Sequence, residues 1–191
     1  MLNNSDTRLN PEDRAELQQA LGDIRYLLDS ELRKARIIGT PTRGKKVSVA
    51  AYVPPLVDML KKVYASKGLE FTVDIDKGAE FAGDSHDLME LMGNLLDNAC
   101  KWARQRVGLC VRQTPEGLTI EVSDDGPGGT PEVFARLEQR GVRRDESGEG
   151  HGLGLAIVRE IIDLYHADID FSRSSDAGGL KAAIHFPQKD S

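Results

Sequence analysis

Apolar positions recur along this chain at two periods, and the change between them divides it. From Glu12 to Ile38, Leu17, Leu21, Ile24, Leu28 and Ala35 follow a 4-3 spacing, with Glu31 as one polar interruption. So narrow a seam, flanked by Asp, Glu, Arg and Lys, predicts a long helix. Its partner is another helix, in cis or from a second chain, or else it lies along its own domain. Residues 1–11 are polar and predict a disordered start. Gly39-Thr-Pro-Thr-Arg-Gly44 breaks the pattern, so residues 39–45 read as a linker.

Beyond the linker the period alternates between strand and helix. Lys46–Val53 alternates and predicts a strand, and Pro54-Pro55 then opens a helix to about Lys67, ended by Gly68. Leu69, Phe71, Val73 and Ile75 alternate with polar residues, as in a half-buried strand, and a short strand follows at Glu80–Ala82. Asp84 or Ser85 is placed to cap a central helix that reaches Trp102. Val107–Gln113 and Leu118–Asp124 pair as a hairpin about Thr114-Pro-Glu-Gly117. Residues 129–150 have no strong period beyond a weak helix near Pro131–Gln139, and read as a lid over a functional site. A helix from Leu153 to about His166 precedes strands Asp168–Ser174 and Leu180–Phe186, joined by Asp176-Ala-Gly-Gly179. This order predicts a two-layer α/β sandwich over residues 46–187, with a mixed, mostly antiparallel sheet.

Composition narrows the function classes. The 191 residues suit one domain with an appendage, and a net charge of −6 argues against nucleic acid as a partner. No apolar run approaches the roughly 18 residues of a membrane span, and the polar Met1–Pro11 does not read as a signal peptide. Cys100 and Cys110 form no CxxC and sit in apolar patterns, which predicts buried free thiols in a reducing compartment.

The central helix carries the first candidate chemistry. On a helical wheel Glu90, Asn94, Asp97, Asn98 and Lys101 share an arc of about 100°, with Leu88, Leu91, Met92, Leu95, Leu96 and Ala99 opposite. Solvated helix faces favour Glu, Lys or Gln, whereas each Asn costs about 0.6 kcal/mol relative to Ala. Two Asn one turn apart therefore suggest neutral oxygens held for a ligand. Two glycine clusters bracket the lid. Asp124-Asp-Gly-Pro-Gly128 closes a strand, where a carboxylate can accept from an amine and glycine lets backbone approach a flat ligand. Gly148-Glu-Gly-His-Gly-Leu-Gly-Leu155 opens a helix, where free N–H groups face an anion. Neither GxxxxGK[ST] nor GxGxxG occurs, which excludes a P-loop and argues against a dinucleotide fingerprint.

Taken together the three clusters have a family likeness. Asn94-Leu-Leu-Asp-Asn98-Ala-Cys-Lys101 resembles the N box of sensor histidine kinases, Asp124-Asp-Gly-Pro-Gly128 their G1 box, and Gly150-His-Gly-Leu-Gly-Leu155 their G2 box. MGNLLDNACKW, the RQT before the hairpin turn, and DDGPG are most like PhoQ-type sensors. The resemblance implies a Bergerat ATP-binding fold of the GHKL class, Mg²⁺ dependence and transfer of the γ-phosphoryl group to histidine. It implies that Asp124 receives the adenine amino group and that Gly126 and Gly128 line the purine pocket. Asn94 and Asn98 would hold Mg²⁺ through amide oxygen, and Lys101 would offset phosphate charge. Gly150, Gly152 and Gly154 would cradle the phosphates, with Trp102, His151 and Leu153 also among the nucleotide-binding positions. Arg140 or Arg143 in the lid would neutralise charge in the transition state. Residues 12–38 would be the second helix of a dimerisation hairpin.

ATPases of this fold carry Glu where this chain has Asn94. A carboxylate can take a proton from water and an amide cannot, so Asn94 favours phosphotransfer over hydrolysis. Of His86, His151, His166 and His185, only His86-Asp-Leu resembles the start of the family's acceptor box, and Met89-Glu90 does not continue it. The implied reading is the cytoplasmic kinase portion of a bacterial inner-membrane sensor, with a response regulator and a second copy of the full protein as partners. It would make no membrane contact itself, and its acceptor histidine would lie on a helix outside this chain. The alternatives are an ATP-hydrolysing conformational switch and a non-catalytic dimerisation module. Leu180 stands where many family members have Thr near adenine, and Gly129 replaces a branched residue.

Overall fold

The computed structural model describes residues 46–129 and 152–188, with the backbone alone at 152 and 153. The helix expected over 12–38, the linker and the lid, including its weak helix near Pro131–Gln139, lie outside the described residues. Strand β1 (Val47–Ser48) runs directly into helix α1 (Val49–Val63), which a 3-10 turn, Ala65–Lys67, and left-handed Gly68 close. Then come β2 (Glu70–Ile75), β3 (Glu80–Phe81), α2 (Ser85–Trp102), β4 (Arg106–Thr114), β5 (Gly117–Asp124), α3 (Gly152–Tyr165), β6 (Asp168–Arg173) and β7 (Leu180–Pro187).

The strand expected over Lys46–Val53 is wrong beyond Ser48, where the helix begins. Val47, Val49, Ala51 and Val53 do alternate, but Val49, Val53, Leu56, Val57 and Leu60 also fit a helix, and these are the positions that become buried. Burying one continuous helical stripe removes more apolar surface than a short strand would. Pro54 and Pro55 therefore lie inside the helix rather than at its start. The carbonyls they leave without N–H partners belong to Ala50 and Ala51, both solvent-exposed.

Five strands form one sheet in the order β2-β4-β5-β7-β6, and β1 pairs with β3 apart from it. Among the described strands of this sheet only β2 and β4 run parallel; the other pairs are antiparallel. Helices cover the face made by Val107, Leu109, Val111, Leu118, Ile120, Val122, Phe171, Ala182 and Ile184, all buried. The fold is thus the expected two-layer sandwich. β2 is an edge strand, and its Val73 is exposed although the alternation placed it inside. Cys100 is buried and Cys110 half-buried, both as free thiols, and burial pushes the Cys100 thiol up to about 11.

Among the described residues helix α2 is central because α1 and α3 both pack on it. Its Asp84 cap accepts from the His86 N–H at 2.8 Å. Leu88, Leu91, Met92, Leu95, Leu96 and Ala99 are buried as the wheel predicts, which leaves the Asn face turned from the core. Tyr165 at the end of α3 donates its hydroxyl to Asp87 Oδ2 at 2.6 Å, tying α3 to the first turn of α2.

Candidate functional site

The site lies where the end of β5, the middle of α2 and the start of α3 converge. Asp124 is the last residue of β5 and only 2% exposed. Its Oδ1 accepts from the backbone N–H of Gly126 at 2.7 Å and, more weakly, of Leu180 at 3.4 Å. Among the described residues no hydrogen bond reaches Oδ2. The carboxylate lines a small pocket with Leu95, Asn98, Leu155, Phe171, Leu180 and Ala182. Burial pushes the Asp124 carboxyl above its ordinary value, against the pull of the Gly126 and Leu180 donors.

Glycine is required around this carboxylate by space. A Cβ on Gly126 would stand 2.4 Å from the Trp102 carbonyl oxygen and 2.8 Å from Asp124 Oδ1. Gly128 has φ +69°, a left-handed conformation that suits glycine. Gly179, 55 residues from Asp124 in sequence, completes the enclosure: its N–H donates to the Asp124 carbonyl oxygen at 3.2 Å. Only the Gly-Gly turn itself marks that position in the sequence, and the turn alone gives no reason to join it to the site.

Asn94 faces a different neighbour. Its Nδ2 donates to the Glu90 carbonyl oxygen at 2.7 Å, which turns Oδ1 away from its own helix backbone. That oxygen would stand 2.8 Å from a Cβ on Gly154, so an alanine there would push the Asn94 amide aside. Asn94 Oδ1 thus sits beside the first turn of α3, and Asn98, one turn along α2, lies against the Asp124 pocket. The neutral Asn94 amide oxygen, turned out from its helix, is a donor type that fits a hard divalent cation such as Mg²⁺, and Asn98 offers a second amide one turn along.

Lys101 is engaged elsewhere: its Nζ pairs with Asp97 Oδ2 at 2.7 Å, while the Tyr64 hydroxyl donates to Asp97 Oδ1 at 2.7 Å. Trp102 is 41% exposed at the helix end. The structure therefore brings together Asn94, Asn98, Asp124, Gly126, Gly128 and the start of α3 with Gly152, Leu153 and Gly154, and leaves Lys101 at the rim. Arg140, Arg143, Gly150 and His151 lie outside the described residues. Tyr64, Phe171 and Gly179 are neighbours that the sequence pattern does not assign to the site, and Asp97 and Leu155 stand within its motifs without an assigned role.

Asp125 shapes the mouth from behind. Its Oδ1 accepts from the N–H groups of Arg104, Gln105 and Arg106 at 2.8, 2.9 and 3.0 Å, fixing the turn between α2 and β4. Burial works against its ionised form, but these three donors outweigh it and hold the carboxyl below its ordinary value.

Comparisons with known proteins agree on this region. Residues 83–190 match the family model described as histidine kinase-, DNA gyrase B- and HSP90-like ATPase. Sensor protein kinase CarS of Pseudomonas aeruginosa is 37% identical over 177 residues, covering 93% of this chain and 39% of that protein. The virulence sensor histidine kinase PhoQ of Salmonella typhimurium is 39% identical over 138 residues, covering 72% of this chain and 28% of PhoQ. The chain therefore spans well under half the length of these relatives. Among solved structures, a mycobacterial sensor histidine kinase, MprB, superposes with a TM-score of 0.64 at 25% identity, covering 77% of this chain and 99% of that one. The catalytic domain of histidine kinase ThkA shares the fold, with a TM-score of 0.65 at 14% identity, over 77% of this chain and 98% of that one.

Proposed function

The chain belongs to the histidine kinase-, DNA gyrase B- and HSP90-like ATPase family, and on that premise we propose that it binds Mg·ATP and donates the γ-phosphoryl group to a histidine. The observation that carries the reading is Asp124: a buried carboxylate that lines a pocket with Asn98 and, among the described residues, takes its hydrogen bonds on Oδ1 and leaves Oδ2 for a ligand. A carboxylate oxygen so held accepts from the exocyclic amine of adenine, and Leu155, Phe171 and Leu180 supply apolar surface for a flat ring.

Asn94 and Asn98 would hold Mg²⁺, which when bound supplies charge neutralisation across the phosphate oxygens. The glycines of 150–154 would bring backbone N–H groups at the start of α3 to the phosphates, and Lys101 would add a point cation. Arg140 or Arg143 would reach the γ-phosphoryl group from the lid. In the transfer, an imidazole nitrogen lone pair forms the bond to Pγ while the bond from Pγ to the bridging oxygen breaks, and ADP leaves with that electron pair. Asn94 supports transfer over hydrolysis, because its amide offers no base for water.

The acceptor would be a histidine outside this chain, on the dimerisation hairpin of a longer sensor that acts as a homodimer. A response regulator would take the phosphoryl group onward. The same reading makes this the cytoplasmic portion of an inner-membrane protein; among the described residues no helix is long and apolar enough to cross a membrane. Incubation with γ-labelled ATP tests the proposal. Label should pass to a separately supplied acceptor-helix domain and not remain on this chain. Stable label on this chain would refute the external acceptor, and steady phosphate release without any acceptor would favour hydrolysis.

A further inference from the structure

The last turn of α2 is held by the 3-10 turn that follows α1. Lys67 donates from Nζ to the carbonyl oxygens of Cys100, Lys101 and Ala103 at 2.8, 2.7 and 3.3 Å. These are among the acceptors that a helix end leaves open, so one ammonium caps the helix that carries Asn94 and Asn98. Nearby, Tyr64 and Lys101 divide the Asp97 carboxylate between them. Oδ1 accepts from the Tyr64 hydroxyl and Oδ2 pairs with Lys101, each at 2.7 Å. Burial, and then the Asp97 bond, push the Tyr64 hydroxyl well above its ordinary pKa, so it remains a donor.

Direction matters on this face. Asp97 is turned to Tyr64, which follows α1, whereas Asn94 stands beside Gly154 of α3 and Asn98 lines the Asp124 pocket. Lys101 thus rests on a carboxylate of its own helix, one turn before it. We infer that Asp97 is a positioning residue that holds Lys101 as an internal ion pair until nucleotide phosphate takes its place. Lys101 exchanges one anion for another, and Tyr64 keeps the released carboxylate fixed. The pair is suited to exchange because its side chains are 50% and 38% exposed, a setting in which ion pairs contribute little. The exchange rests on the nucleotide site proposed above.

Removing the competing charge should strengthen phosphate binding and leave nucleoside binding alone. Asp97→Asn keeps an oxygen for the Tyr64 hydroxyl, so the contact between α1 and α2 survives. The wild-type chain, Asp97→Asn, Lys101→Met and the double variant are each titrated with Mg·ATP and with adenosine, which has no phosphate. Asp97→Asn should bind Mg·ATP about three- to fivefold more tightly and adenosine with unchanged affinity, and the gain should vanish in the Lys101→Met background. Unchanged or weaker Mg·ATP binding would overturn the exchange. So would an equal gain for adenosine, or a gain that persists in full without Lys101. If the wild-type chain binds neither ligand, the nucleotide reading itself fails and the exchange with it. If it binds both and only the Asp97→Asn gain is missing, the exchange alone fails.

Discussion

Gly179 and Asp124 meet with no room for a side chain between them. The Gly179 N–H donates to the Asp124 carbonyl oxygen at 3.2 Å, and a Cβ on Gly179 would lie 2.4 Å from both that oxygen and Oδ1. The same Cβ would be 2.6 Å from the Gly126 nitrogen, so it would strike each part of the turn that holds the carboxylate. The obstructing atoms are mostly backbone and cannot rotate away.

Gly179→Ala should therefore displace the β6–β7 turn or the Asp124 turn. A destabilisation of about 1–3 kcal/mol, typical of overpacking, is expected in urea unfolding. Nucleotide binding should fall with it. Gly178→Ala is not a silent control, because Gly178 has φ +85°. Gly93→Ala is the better one: a Cβ on that helical glycine would meet nothing within 4 Å, and the change should stabilise the protein slightly.

Asp125 makes a pH-dependent contribution of opposite sign to that of Asp124. Three backbone donors lower its folded pKa, so the unfolded chain takes up a proton first as pH falls. Its stabilisation is complete above the unfolded value of about 3.9 and is lost as pH drops through the lower folded value. Asp125→Ala leaves the Arg104, Gln105 and Arg106 N–H groups without this acceptor and should cost about 1–3 kcal/mol at neutral pH. Urea unfolding of both proteins from pH 7 to pH 3 checks this; the difference between them should shrink at the acid end.

Asp124 has a raised folded pKa, chiefly through burial. Below the unfolded value of about 3.9 this group does not penalise the folded state; the penalty develops as pH rises from there through the folded value. Nucleotide binding runs the other way, since an adenine amine needs an ionised acceptor. Affinity for Mg·ATP should weaken as pH falls through the raised Asp124 value, and a pH series of calorimetric titrations reads this directly. Asp124→Asn should lack that acid-side loss.

Much of the scaffold was legible in the sequence. The hairpin β4–β5, the strands β6 and β7 and the helix α2 follow from periods that no competing pattern disturbs. Val47–Val53 misled because the same valines satisfy a strand and a helix, and only the tertiary choice of which stripe to bury separates them. The site was half visible. Asn94, Asn98, Asp124 and Gly126 announce themselves as residue types costly or unusual for their elements. Gly179 does not, because its role comes from an approach to Asp124 across 55 residues of chain. Tyr64 looks like an ordinary helix-surface residue, and Asp97 has no role on its polar arc, until the end of α1 is packed against α2.

If the Asp124 Oδ2 oxygen reads the amine of ATP, Asp124→Asn isolates that contact. An amide at 124 keeps an oxygen for the Gly126 and Leu180 donors but turns an NH₂ towards the pocket, where it meets the adenine amine donor to donor. Thermal unfolding should show the variant at least as stable as wild type, since a buried charge has been removed. The deciding measurement is a calorimetric titration of Mg·ATP into both proteins. The account predicts binding to the wild-type chain and affinity at least about tenfold weaker for Asp124→Asn. Equal affinity in the two proteins, with both folded, would contradict it.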